Sequence, residues 1–260
     1  MRPNLKAPFA LAWALLAALF WLPLPDSAQT SPQVPGIPRT ADGKPNFNGV
    51  WAGPAFAHNV GPNDTDTPLV TNFDPRRMSA LLPGAETIFR QPPTGDVRHD
   101  DPTELCLPDG HPREALAPYA QQIVQNADTV VFLYEYMHFF RVIPLNKLHP
   151  PEVDSTFMGD SVAKWEGDTL VIDTIGLREW TLAASNQWHS DALHTVERLR
   201  YIDPATASYE IVVDDPKLFS KPWSQEFHMK LHPTWKLLEQ VCEENNRCES
   251  GKCSPSGTQK

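Results

Sequence analysis

Alternating apolar and polar residues dominate the second half of the chain and predict antiparallel β-hairpins. Two such runs, 161–165 and 169–175, flank the turn sequence Glu166-Gly167-Asp168. Residues 197–213 repeat this arrangement around Asp203-Pro204. A period of two indicates strands with one buried face, and turn residues between two such runs are typical of hairpins.

The remaining apolar runs extend this pattern to a whole domain. Residues 119–143 contain two runs separated by Asn126-Ala127-Asp128, with a candidate bend near Met137, and residues 223–242 predict two more strands. About six to eight strands joined by hairpins, without a long helix, predict a lipocalin-like antiparallel β-barrel, with a β-sandwich as the alternative. The barrel is favoured because residues 129–143 are apolar on both faces and need cover on each side.

The segment before the strands is predicted to form an extended arm wrapped on this barrel. Residues 29–110 are rich in proline, and Phe47 and Trp51 are suited to plug a hydrophobic surface. One short helix is predicted at residues 74–83, with Asp74 as N-cap. The predicted organisation is a signal peptide (1–28), the arm (29–110), the barrel (111–245) and a hydrophilic tail (246–260).

The amino terminus has the features of a secretory signal peptide. Arg2 and Lys6 precede an apolar run, and small and polar residues follow it. The mature chain is predicted to start near Gln29 and to be periplasmic or secreted, without a stable membrane anchor. A permanent anchor is the alternative, because Asp26 is a residue that signal peptidases disfavour so close to the cleavage site.

Net charge narrows the range of partners. The formal charge is −10 at pH 7, which argues against nucleic acid and anionic lipid as partners. The 27 prolines and 8 tryptophans indicate rigid loops around an aromatic-rich interior. A small apolar or aromatic molecule is therefore the expected partner, and the sequence does not indicate an oligomeric state.

The chain has 4 cysteines, which allow three pairings. Their spacing does not match Cys-x-x-Cys zinc sites, and an exported protein keeps its disulfides. The favoured pairing joins Cys106 to Cys242 across a long loop and Cys248 to Cys253 within the tail.

Several motifs resemble those of an uncharacterised family of exported bacterial proteins that is frequent in acidobacteria and proteobacteria. The resemblance covers most of the predicted mature chain and rests on DGKPNFNGVW, CLPDGHPR, KWEGDTLVIDT, HSDALHTVERLR and DDPKLFSKPW. It implies export, a single domain and the Cys106–Cys242 pair. It implies no particular chemistry, because no activity is established for that family.

The stretch HSDALHTVERLR, residues 189–200, carries the first set of candidate site residues. Strand alternation places Glu197 on a mostly apolar face with Leu199 and Tyr201. A buried glutamate must be paired or must have a raised pKa. His189 and His194 precede the predicted strand, where a loop could direct them into the mouth of a barrel.

The stretch YEYMHFFR, residues 134–141, carries the second set. If it is one continuous strand, Tyr134, Tyr136, His138 and Phe140 share a face, which suits a cavity for an aromatic ligand. The alternative makes His138 an ordinary core residue and pairs Glu135 with Arg141 across the strand surface.

Two residues of the 161–175 hairpin complete the candidates. Asp173 could fix the tautomer of a histidine, as triad carboxylates do, or could form an ion pair with Lys164. Trp165 is a candidate ligand platform, although tryptophan is more often a core residue. The chain contains no Gly-x-Ser-x-Gly elbow, His-Glu-x-x-His motif, phosphate-binding glycine loop or Rossmann fingerprint.

Three functions fit these patterns. The first is a lyase, isomerase or cyclase that uses histidine and glutamate as acid and base in the barrel. The second is a non-catalytic periplasmic binding protein for a hydrophobic small molecule. The third is a zinc hydrolase with His189, His194 and Glu197 as ligands, completed by His138; apart from this zinc, no cofactor is predicted. The predicted catalytic residues are His138, His189, His194, Glu197 and Asp173, and the predicted ligand-binding residues are Tyr134, Tyr136, Phe140, Trp165 and Tyr201.

Overall fold

The computed structural model of the chain describes residues 34–53, 73–183 and 187–242, together with the backbone of 248–249 and 252–253. All of these belong to one compact unit, Gln33–Lys260. The predicted signal peptide lies outside the described residues. No helix among the described residues is long and apolar enough to cross a membrane.

The fold is mainly β and antiparallel, which confirms this part of the prediction. The strands are β1 (Gly49–Trp51), β2 (Gln121–Gln125), β3 (Thr129–Tyr134), β4 (Phe140–Pro144), β5 (Asp160–Glu166), β6 (Thr169–Ile175), β7 (Trp180–Ala183), β8 (Gln187–His189), β9 (His194–Asp203), β10 (Thr206–Asp214), β11 (Trp223–Lys230), β12 (Cys248–Glu249) and β13 (Lys252–Cys253). Helical structure is short: the α-helices are α1 (Glu86–Phe89) and α2 (Val97–Asp100), and 3-10 turns lie at Pro102–Leu105, Glu114–Leu116 and Tyr136–His138.

Two larger sheets form the body of the molecule. One has the order β1-β2-β3-β4, and the other has the order β11-β10-β9-β6-β5. Single bridges connect them at both edges, from Trp51 to Leu231 and from Leu145 to Ala163. Within the described residues, the hydrogen-bonded ladders are separate and do not close into one barrel.

The two predicted hairpins are confirmed. β5 and β6 pair from Asp160–Ile175 to Glu166–Thr169, and β9 and β10 pair on either side of Pro204-Ala205. Both hairpins lie in the five-stranded sheet, where β9 is the neighbour of β6. Local alternation and turn residues were sufficient to place them because their contacts are close in sequence.

Two local predictions are wrong. The helix predicted at residues 74–83 is a single turn, in which the Asp74 carboxylate accepts hydrogen bonds from the backbone and side chain of Arg76. Capping chemistry is present, but the backbone of residues 80–82 pairs with that of residues 218–220 instead of continuing as a helix. Only β11 forms in the 223–242 segment; residues 235–242 run without strand pairing along the 135–138 turn.

The continuous strand predicted through residues 134–141 is also wrong, because the chain reverses there. Met137 and His138 have positive φ values of 54° and 57°, and β3 returns as β4. The predicted bend near Met137 is confirmed. After the reversal, the alternation restarts, so that Arg141 and Ile143 point inward while Phe140 and Val142 are exposed.

Aromatic residues fill the space between the two sheets. Phe47 and Trp51 are fully buried, as predicted, and Phe47 stacks on Tyr201 at a centroid distance of 4.8 Å. Phe73 packs edge-on against Trp223. The segment predicted as an arm thus supplies core residues and strand β1.

A disulfide bond joins Cys106 to Cys242, as predicted. It ties the C-terminal segment to the loop before the 3-10 turn at Glu114–Leu116. Cys248 lies opposite Cys253 in the β12–β13 pair. The side chains of that pair lie outside the described residues, so the second predicted disulfide stays a prediction.

We predict that Gly167→Val destabilises the protein. Gly167 has a φ of +61°, and a β-carbon added there would meet no heavy atom within 4 Å, so the cost arises from the backbone and not from a clash. A β-branched residue in this conformation should lower the free energy of unfolding by more than about 1 kcal/mol. Urea denaturation of the variant and the parent protein measures the difference in the free energy of unfolding.

Gly167→Asn is the matched control, because asparagine tolerates the left-handed region far better. Equal stability of the valine variant and the parent protein would show that this turn does not constrain the hairpin.

Candidate functional site

A fully buried ion pair joins the two sheets. Arg141 of β4 donates two hydrogen bonds to Glu197 of β9, with N···O distances of 2.9 and 2.6 Å. The Tyr209 hydroxyl donates a third hydrogen bond to this carboxylate. One guanidinium nitrogen of Arg141 also donates to the hydroxyls of Ser161 and Thr174, at 2.9 Å each. Three strands of the five-stranded sheet therefore bind one side chain of the other sheet, and β10 joins the cluster through Glu197.

The electrostatics of this cluster make Glu197 a permanent carboxylate. Burial alone would raise the pKa of Glu197, but Arg141, His111 and the Tyr209 hydrogen bond together lower it well below its ordinary value. A buried glutamate must either be paired with a cation or have a raised pKa, and Glu197 is paired with Arg141. A carboxylate held this strongly is a poor proton acceptor at neutral pH.

His111 adjoins the ion pair. Its Nε2 lies 2.8 Å from the Thr195 hydroxyl and 3.7 Å from a Glu197 oxygen. Burial and the charge of Arg141 lower the pKa of His111 to about 3, so the ring is neutral under physiological conditions. His189 is also buried, with its pKa lowered to about 4 by burial, and its Nδ1 contacts the Ser190 carbonyl.

A second cluster lies on the outer face of the five-stranded sheet, where carboxylates and imidazoles alternate. His194 Nε2 lies 2.9 Å from Asp173 Oδ2, and His149 Nε2 lies 2.8 Å from Asp173 Oδ1. His149 Nδ1 in turn lies 2.5 Å from Asp160 Oδ1. The order is Asp160, His149, Asp173, His194, and we refer to these four residues as the outer chain.

The outer chain is partly accessible to solvent. The side chain of His194 is 37% exposed, and that of Asp173 is 39% exposed. The hydrogen bond to Asp173 raises the pKa of His194 from its ordinary value, although partial burial opposes this. Burial raises the pKa of Asp173, but the hydrogen bonds from His194 and His149 outweigh it and lower the value. His194 is thus positioned to exchange protons near neutral pH.

The predicted catalytic residues do not share one cavity. His194 and Glu197 lie on opposite faces of β9, because they are three residues apart in a strand. His138 is exposed, and its Nε2 accepts a hydrogen bond from the backbone of Gln240. The shared site of His138, His194 and Glu197 is therefore wrong.

Two ion pairs that the sequence suggested, Asp173–Lys164 and Glu135–Arg141, do not form. Asp173 contacts His194 and His149, whereas Lys164 pairs with Glu166. Arg141 is not on the strand surface with Glu135, whose carboxylate accepts a hydrogen bond from the backbone of Leu238. The strand reversal accounts for the second correction.

The predicted ligand-binding residues fall into three environments. Tyr134 is buried near Arg141, and Tyr136 stacks on Tyr119 at a centroid distance of 4.7 Å. Phe140 is 61% exposed on the outer face of the four-stranded sheet. Both remaining aromatic residues, Trp165 and Tyr201, stack on the Phe47 ring and are core contacts.

The proposed zinc ligands point to different places. Glu197 is bound to Arg141, His189 lies against its neighbouring carbonyl, and His194 faces outward. Among the described residues, no group of three or more histidine, cysteine, aspartate or glutamate side chains has an arrangement that could hold a metal ion.

Sequence reasoning missed several members of both clusters. His149 lies in the loop after β4, without a periodic context that would relate it to Asp173. Strand parity placed Arg141 on the wrong face, although a single charge inside an apolar run was a visible signal. His111 lies in CLPDGHPR, a motif that carries the family resemblance but has no spacing that indicates chemistry.

Comparison with known proteins adds no function to this geometry. No protein-family model, curated protein or solved structure matches the chain.

We predict that Glu197→Gln mainly reduces stability. The substitution leaves Arg141 charged and buried without a carboxylate, which should cost roughly 3–5 kcal/mol in the free energy of unfolding. Urea denaturation of the variant and the parent protein gives the difference.

Glu226→Gln is the matched control, since it breaks the exposed Arg200–Glu226 pair and should cost less than about 1 kcal/mol. If the two glutamine variants lose the same small amount of stability, the buried ion pair does not hold the sheets together.

Proposed function

We propose that this protein is an exported acid–base enzyme that acts on a small, largely apolar molecule at the outer chain. His194 is the group that accepts and returns the proton. The observation that carries the proposal is the alternation of Asp160, His149, Asp173 and His194, with the accessible histidine at its end.

The hydrogen bond to Asp173 selects the reactive form of His194. A neutral imidazole has one N–H donor and one acceptor nitrogen. When Nε2–H donates to Asp173, the lone pair is on Nδ1, which then serves as the base. The carboxylate also stabilises the imidazolium that forms when the proton arrives, as triad carboxylates do.

His149 and Asp160 act as positioning residues. Each oxygen of Asp173 contacts a different imidazole, so the carboxylate cannot rotate without losing one of them. His149 contacts carboxylates through both of its nitrogens. It can donate to both at once only when the ring is protonated, so proton transfer at one end of the chain affects the hydrogen bonds along it.

An apolar stripe lies beside the outer chain and supports the substrate class. Asp173 has Val162 and Val196 as its cross-strand neighbours, and Val212 lies opposite Val196. Cross-strand neighbours on one face lie within contact distance of each other. A molecule resting on these valines would present an acidic C–H bond or a leaving group to His194, which fits a lyase or isomerase.

We also propose that the protein is exported and that its two sheets surround the core as in a barrel. The N-terminal apolar segment supports export, and the Cys106–Cys242 disulfide is the kind of bond that persists in an oxidising compartment. The single bridges at both sheet edges support an arrangement in which two sheets surround a common core, as in a lipocalin-like barrel.

The test uses 5-nitrobenzisoxazole, an apolar aromatic molecule that reacts when a base removes its ring proton. The mature protein should accelerate this reaction, and His194→Gln should reduce the rate by about 10²–10⁴-fold. The pH profile provides a second readout. The rate should rise as His194 loses its proton, and Asp173→Asn should move that midpoint to lower pH because the pKa is no longer raised.

His228→Gln is the matched control, because His228 lies on the outer face of β11 in the same sheet. Its rate and midpoint should equal those of the parent protein. A parent protein that binds the probe without accelerating the reaction would instead be a binding protein. An equal loss of rate in His194→Gln and His228→Gln would show that His194 has no specific role in the reaction.

A further inference from the structure

The outer face of the four-stranded sheet is apolar along β2, β3 and β4 and carries no charged side chain there. Strand alternation turns eight residues of these strands outward. We refer to them as the apolar face: Gln122, Val124, Thr129, Val131, Leu133, Phe140, Val142 and Pro144. Charged residues make up 21% of the chain, so an uncharged surface of this size is a distinct feature of the molecule.

The register of the strands makes the apolar face continuous. Val131, at its centre, lies directly opposite Val124 of β2 and Val142 of β4. In the next row, Leu133 lies opposite Phe140. Side chains that are opposite each other on one face of a sheet are in contact. These five residues therefore form one surface and are not scattered exposed positions.

The largest side chains of the apolar face are open to solvent. Phe140 is 61% exposed, Val142 is 58% exposed and Val124 is 42% exposed, so no described part of the chain covers them. A contiguous exposed apolar patch marks an interaction site in a soluble protein. Because the outer face of a sheet is not a concave pocket, it suits a macromolecular surface better than a small molecule.

Charge complementarity favours a second copy of the chain as the occupant. In a two-fold symmetric interface the same patch lies on both copies, so any charge on it approaches its own kind. The outer face of the five-stranded sheet carries such charges, in the pairs Arg198–Glu166, Lys164–Glu166 and Arg200–Glu226. Two copies with a formal charge of −10 each repel one another. The apolar face is a surface on which they can meet without opposing like charges.

We propose that two copies of this protein associate through their apolar faces as a two-fold symmetric dimer, with the two four-stranded sheets packed face to face. Three strands of this length span about 15 by 20 Å. This area is small for a protein–protein interface, so the dimer dissociates on dilution. The outer chain lies on the outer face of the other sheet and stays accessible in both copies, so the dimer does not depend on the proposed enzyme activity.

Two other modes of association fit the structure less well. Attraction to an anionic lipid surface requires lysine or arginine, which the apolar face lacks, and the net charge of the chain opposes it. Addition of a strand from another protein requires a free sheet edge. Both edges of the four-stranded sheet are already bridged to the other sheet, at Trp51–Leu231 and Leu145–Ala163.

Sedimentation velocity of the mature protein, from micromolar to millimolar concentration, tests the proposal. The parent protein should convert from monomer to dimer as its concentration rises, and added salt should favour the dimer because it screens the repulsion between the two acidic copies. Val142→Lys should raise the dissociation constant at least about tenfold, since two buried cations would approach each other in the interface. Phe140→Lys should have the same effect. Both variants should keep the melting temperature of the parent protein, because these side chains are exposed in the single chain.

Ile202→Lys is the matched control, because it places the same charge on a partly exposed apolar residue of β9, in the other sheet. Its dissociation constant should equal that of the parent protein. A parent protein that stays monomeric at every concentration, or a Val142→Lys variant that dimerises as the parent does, would overturn the proposal. A monomeric parent that binds neutral phosphatidylcholine vesicles, and loses this binding in Phe140→Lys, would overturn it in favour of a lipid surface as the occupant.

Discussion

The buried ion pair between Arg141 and Glu197 constrains the rest of the structure. Two charges in a dry interior are tolerated only when both are fully hydrogen-bonded, so β4 and β9 must meet in one relative position. A one-residue slip of β9 would place Val196 or Arg198 inside and leave Arg141 unpaired. The ion pair therefore specifies the register of β9 more strictly than packing of aliphatic residues would.

The register that buries Glu197 also determines where the other chemistry can occur. Residues an odd number of positions apart in a strand point to opposite faces, so His194 must face outward when Glu197 faces inward. Asp173 follows the same rule on β6 and meets His194 there. The sheet itself separates the two clusters, and a single cavity with both side chains is incompatible with this fold.

Local patterns predicted those features that depend on local contacts. The two hairpins, the inward face of Glu197 and the burial of Phe47 follow from alternation, turn residues and hydrophobicity. The outer chain was predictable in part, since Asp173 was a candidate partner for a histidine. Its histidine could not be chosen from the sequence, because cross-strand pairing of β6 and β9 brings together residues that are 21 positions apart.

The strand reversal at residues 135–139 shows why the remainder was not predictable. The YEYMHFFR sequence has apolar and polar residues in positions that suit an extended strand, and two non-glycine residues adopt positive φ values instead. Tertiary contacts stabilise these two strained residues. Gln240 forms hydrogen bonds with the backbone of Met137 and with the ring of His138. The Cys106–Cys242 disulfide anchors the segment that contains Gln240, two residues further on. Such contacts outweigh local preference. Because the reversal also moves Arg141 from the surface to the core, one unpredicted turn decides the position of the ion pair on which the sheet register depends.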